Sequence, residues 1–140
     1  MPWNDVKLAD VSVETFPEIP TGSYTFTLLP GAITRVNKFG TEELVASAAI
    51  AEGPEAGRRV FLQYPDPNSI NETTGKKAVW SAQALKKLEL ALGTDQDPAE
   101  TPVEYLNRIA SNGHSTFRMS IGPNKNGKNG PQLFSAAAAV

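Results

Sequence analysis

The sequence predicts a mainly β domain with a helical insert, on three observations. Apolar and polar residues alternate with period two in several short segments, glycine and proline separate those segments, and a helical period takes over only between residues 81 and 113. With 140 residues, 40% of them hydrophobic and 20% charged, the chain can pack one core but not comfortably two.

Residues 1–20 carry prolines at positions 2, 17 and 20 and no clean period, which predicts an acidic arm ahead of a domain over 21–140, with Trp3 and Phe16 as its anchors. From Gly22, Tyr24, Phe26 and Leu28 alternate with Ser23, Thr25 and Thr27, as in a half-buried strand. Pro30-Gly31 interrupts and alternation resumes to residue 38, so 22–38 is either a tight hairpin or one long strand bent midway. A second strand is expected from Glu43 to Ala51, turn chemistry at 53–57, and a third strand from Arg58 to Tyr64. The polar stretch Pro65 to Lys77 reads as a loop.

Ser81 reads as the N-cap of a helix with Leu85, Leu88 and Leu92 on one face and Gly93 at its end. Trp80 then falls where a hydrophobic staple would pack on that helix. Thr101-Pro102-Val103-Glu104 is a capping box with proline at the first helical position; Tyr105, Leu106 and Ile109 form the stripe of a second helix that stops at Gly113. Two more strands follow, Ser115 to Ile121 and Gln132 to Ala138, joined by the glycine- and asparagine-rich segment 123–130. Tyr24, Phe26, Phe117 and Phe134 have the spacing of core strand residues.

A long bent strand, a hairpin pair, a helical insert between strands 3 and 4, and a closing hairpin match a five-stranded Greek-key OB-fold barrel. In that fold the second and third strands and two loops form the binding face. Here those loops are Asn37-Lys38-Phe39-Gly40-Thr41 and Pro123 to Gly130, expected to meet at one trough. Lys38, Lys125 and Lys128 supply cations for phosphates, and Phe39 either stacks on a base or folds onto the core. Arg35 lies in the polar phase of the bent strand. Arg58 and Arg59 must face opposite ways, so one at most contacts a ligand, and Arg58 is the candidate taken. Tyr64 ends its strand, where a ring can face outward. Arg118 reads as a solvated strand residue.

The net charge is −2, but residues 1–20 hold −3 of it, and no acid follows Tyr105. The total therefore argues neither for nor against a nucleic-acid partner. Cysteine is absent and histidine occurs once, so neither a disulfide framework nor a thiolate zinc site can form. Segment 122–129 lacks the Ser/Thr of a phosphate loop and leads into a strand. No carboxylate pair stands out as acid and base, so neither an enzyme nor a bound cofactor is expected. No apolar run spans a bilayer and no basic-then-apolar leader opens the chain, which fits a cytoplasmic protein.

Four segments carry a resemblance: Gly22-Ser23-Tyr24-Thr25-Phe26-Thr27, the turn Glu52 to Val60, the helix Ala84-Leu85-Lys86-Lys87-Leu88 ending Ala91-Leu92-Gly93, and Leu133-Phe134-Ser135-Ala136. Over most of residues 20–138 the chain resembles bacteriophage single-stranded DNA-binding proteins of the OB-fold type. The resemblance implies coating of exposed single strands in phage DNA replication or recombination in the host cytoplasm; sequence-independent binding, RNA as an alternative ligand and a homo-oligomer are further expectations. Such proteins often end in an acidic tail that recruits replication proteins, whereas this chain ends Ser135-Ala136-Ala137-Ala138-Ala139-Val140. The acidic arm is then a candidate competitor for the groove. The rival expectation is a protein-binding or virion structural module on the same scaffold.

Overall fold

The computed structural model describes residues 3–7, 9, 18–38, 40–69, 75, 77–113, 115–124 and 127–139. Five strands form one antiparallel sheet: β1 (Gly22–Val36), β2 (Glu42–Ile50), β3 (Arg59–Pro65), β4 (Thr116–Pro123) and β5 (Asn129–Ala137), in the order β3-β2-β1-β4-β5. Two helices, α1 (Val79–Leu92) and α2 (Pro102–Ser111), lie between β3 and β4 in the chain.

The alternation from Gly22 makes β1 the central strand, paired with β4 over Gly22–Thr27 and with β2 over Phe26–Val36. Segment 22–38 is thus a bent strand, not a hairpin. Pro30, Gly31 and Ala32 stand opposite Ala46 alone, between the pairs Leu29–Ser47 and Ile33–Val45. Such a bulge needs one residue in a conformation that side chains resist, and Gly31 supplies it at φ +102°. Asn107 of α2 closes the gap in the ladder. Its Oδ1 accepts from the N–H groups of Gly31 and Ala32, both at 2.9 Å, and its Nδ2 donates to the Ala32 carbonyl at 3.1 Å.

One face of the sheet is buried under the helices. Phe26, Leu28, Ala46, Ala48, Ile50, Val60, Leu62, Phe117, Met119 and Ile121 meet Leu88 and Leu92 of α1 and Leu106 and Ile109 of α2 in a single core. Phe26 and Phe117 are partners across β1 and β4, their rings stacked at 5.7 Å. Burying a side chain of this size stabilises by about 1.5–3 kcal/mol, so this pair marks the centre of the fold. α2 packs on β1, whereas α1 touches β5, β4 and β3 and so bridges the two edge strands.

The sheet is not closed into a barrel. β3 and β5 approach each other but no ladder joins them among the described residues. β5 is also irregular: Arg118 pairs with Ala137 and Ser120 with Gln132, so β5 carries extra residues there. Ser135 patches the break, its Oγ accepting from the Ser120 N–H at 2.8 Å. Strand parity is lost at this point. Phe134 therefore turns outward, 45% exposed, and is not the core residue its spacing predicts.

α1 starts three residues earlier than its serine predicts. Its N-cap is Ala78, which makes no side-chain cap, and Ser81 lies buried inside the first turn, donating to the carbonyls of Pro65 and Ala78. Trp80 belongs to the helix and meets the Phe134 ring at 6.4 Å instead of stapling from outside. Gly93 ends the helix in the left-handed conformation, as expected. The second helix follows its sequence closely. Glu104 N–H donates to Thr101 Oγ1 at 3.2 Å, Thr101 N–H donates to Glu104 Oε1 at 3.0 Å, and Pro102 opens the first turn. No described helix is long and apolar enough to cross a membrane.

Candidate nucleic-acid interface

Among the described residues, no helix or strand packs on the face of β1–β2–β3 away from α1 and α2, the open face of the sheet. Strand parity and register decide which residues it shows. On β3, Val60, Leu62 and Tyr64 turn into the core, so Arg59, Phe61 and Gln63 turn out. Across the register, Arg59 stands beside Ala49 and Thr27, Phe61 beside Ser47 and Leu29, and Gln63 beside Val45 and Ile33. Phe61 is 63% exposed, a ring on a regular strand with small residues next to it on β2. At the far end of the face, Arg35 stands beside Glu43 and donates from Nε to Glu43 Oε1 at 3.0 Å.

Tyr64 is the opposite case. Its side chain is in the core, 4% exposed, and burial pushes its phenol well above the usual value. It offers no ring to a ligand, contrary to the expectation for the end of the strand. The same parity was readable in Arg-Val-Phe-Leu-Gln-Tyr: Tyr64 shares its phase with Val60 and Leu62, while Phe61 shares that of Arg59 and Gln63.

Arg58 precedes β3 and belongs to the turn from β2. It donates from Nη1 to Glu55 Oε2 at 2.9 Å, a pair within the turn, while its neighbour Arg59 lies on the open face. The outward arginine of this pair is thus Arg59, not Arg58. Arg118, on β4, is exposed and donates to Ser23 Oγ across the β1–β4 ladder at 3.1 Å.

The two loops are built alike. In the first, Asn37 N–H donates to the Thr41 carbonyl, Gly40 N–H to the Asn37 carbonyl, and Thr41 N–H to Asn37 Oδ1, with Gly40 at φ +78°. In the second, Asn124, Gly127 and Lys128 make the same three bonds, with Gly127 at φ +75°. Both are three-residue hairpin turns in which an asparagine side chain and a left-handed glycine fix the reversal. Lys38 and Lys128 are exposed on them. Phe39 and Lys125 lie outside the described residues.

The loops do not converge as expected. The first continues from Val36, at the C-terminal end of β1, whereas the second leaves β4 beyond Ile121, which pairs with Gly22 at the N-terminal end. They sit at opposite ends of a 15-residue strand, with the open face between them.

A further charged cluster lies where α2 meets the segment before it. Arg108 of α2 grips Glu100 with two hydrogen bonds, Nε to Oε2 at 3.0 Å and Nη2 to Oε1 at 2.6 Å, and Asp97 N–H adds a third. These bonds, the guanidinium first, hold the Glu100 carboxyl below its ordinary value. Among the described residues no three His, Cys, Asp or Glu side chains group as a metal site. No protein-family model matches the chain, and no curated protein matches it in sequence.

Proposed function

We propose that this chain binds single-stranded nucleic acid, DNA as the expected form, on the open face of β1–β2–β3 and largely without regard to sequence. The exposure of Phe61 between Arg59 and Gln63 carries the proposal. A large apolar ring held in water on a regular strand is a surface awaiting a flat partner. Every nucleobase has such a face, and stacking contributes about 1–3 kcal/mol per base. Ser47 and Ala49 beside it leave room for a base to lie against the ring. Arg59 and Arg35 on the face, with Lys38 and Lys128 on the turns at its two ends, supply the positive charge that phosphates require.

The finer architecture belongs to the same proposal. The order β3-β2-β1-β4-β5, with β1 bent at its centre and α1 touching both edge strands, supports an OB-type barrel left open along one seam. A role in coating single strands during replication or recombination rests on the family resemblance.

One observation favours the rival, a protein-binding module. Trp80 and Phe134 form an exposed aromatic pair on α1 and β5. Titration of labelled oligo-dT at low and at moderate salt separates the two. Binding that prefers single strand over duplex and weakens steeply with salt supports the proposal. Absence of binding at low salt favours the rival.

A further inference from the structure

Resting on that reading of the open face, we infer that Glu43 is a positioning residue: it holds Arg35 by Nε so that the two terminal amino groups form a fork for a pair of acceptor atoms on the bound strand. Glu43 stands in the register between Arg35 on β1 and Pro65 on β3, and its side chain is only 11% exposed, whereas that of Arg35 is 51% exposed. The covered Glu43 carboxylate accepts from Arg35 Nε at 3.0 Å, so the pair is anchored from its buried side. The carboxylate takes Nε and leaves both Nη groups of Arg35 without another bond among the described residues. An arginine tied in this way loses little rotamer freedom when it meets a ligand. Its planar fork fits two acceptors side by side, either two phosphate oxygens or O6 and N7 of guanine.

The sign of one substitution separates this role from a merely electrostatic one. If Glu43 acted on the ligand only by repelling phosphates, Glu43→Ala would tighten binding. Positioning predicts the reverse, a loss of about tenfold. Arg35→Lys keeps the charge but removes the fork and should lose about as much. The double variant should be no weaker than Arg35→Lys alone, because both act on one contact. Glu43→Gln retains an oxygen acceptor for Nε and should restore most of the affinity.

The experiment is a titration of these variants, with Phe61→Ala beside them, against oligo-dT and against the same oligonucleotide carrying interspersed guanines. Equal losses on both ligands assign the fork to phosphate, and a loss confined to the second assigns it to guanine. If Glu43→Ala does not fold, the exposed Arg35→Lys and the isosteric Glu43→Gln decide. Arg35→Lys binding as wild type does, or Glu43→Ala binding unchanged or tighter, overturns the inference. Should those results come with a weakened Phe61→Ala, the proposed function stands without the fork. Failure of the wild type to bind either ligand removes both.

Discussion

Asn107 and Gly31, 76 residues apart, meet at the bend of β1, where the asparagine side chain replaces the ladder partner that the bulge removes. A backbone N–H left without a partner costs about 1–3 kcal/mol when buried, and Ala32 beside Gly31 is buried. Asn107→Ala should therefore lower stability by about 2 kcal/mol, read as a shift in the urea midpoint at unchanged slope. Asn107→Asp keeps the acceptor for both N–H groups and should cost less.

The two aromatic residues of β3 should separate stability from binding. Phe61→Ala removes an exposed ring and should leave stability within about 0.5 kcal/mol of wild type. Tyr64→Ala opens the core and should cost about 3–5 kcal/mol. Thermal unfolding of the two variants beside the wild type checks the contrast. The reverse order would mean that the strand faces the other way.

These two residues also show how far the sequence could be read. The bend at Pro30-Gly31 and the capping box at Thr101 were legible because each is set by local chemistry, a left-handed glycine and a reciprocal pair of side-chain bonds. Ser81 was not, since its hydroxyl caps nothing and instead bonds the Pro65 carbonyl, a contact made only once the helix packs against β3. Phe134 escaped for a similar reason: the irregularity of β5 breaks the parity that its spacing assumes. The exposed Phe61 was within reach, because it shares a phase with Arg59 and Gln63. The open seam between β3 and β5 depends on tertiary geometry that no residue pattern states.

Alkaline pH should destabilise the protein through two tyrosines. Burial first, then the Glu89 carboxylate, pushes the Tyr105 phenol up to about 12, and burial pushes Tyr64 higher still. An unfolded chain releases these protons near pH 10, while the folded chain retains them. Stability is thus full below about pH 10 and falls as pH rises through the interval to the folded values. Urea midpoints measured between about pH 9 and about pH 11.5 should decline, and Tyr105→Phe should flatten the slope.

The acid limb should depend on Glu100. Arg108 holds its carboxyl below the ordinary 4.5, so the pair contributes above that value and the contribution is lost as pH falls through the folded one. Glu100→Gln should lower stability at neutral pH and reduce the dependence on pH below about 4.5. Because the pair is half-buried, added salt should shrink the difference between variant and wild type only in part.

The most direct test of the open face is to ask which ring a bound base touches. A single-stranded oligonucleotide carrying photoreactive halogenated uracil can be irradiated on the protein, and the adducts mapped by peptide mass spectrometry. Attachment at Phe61, competed away by unmodified oligo-dT, is the predicted result. Attachment at Trp80 or Phe134 with none at Phe61 would contradict the account.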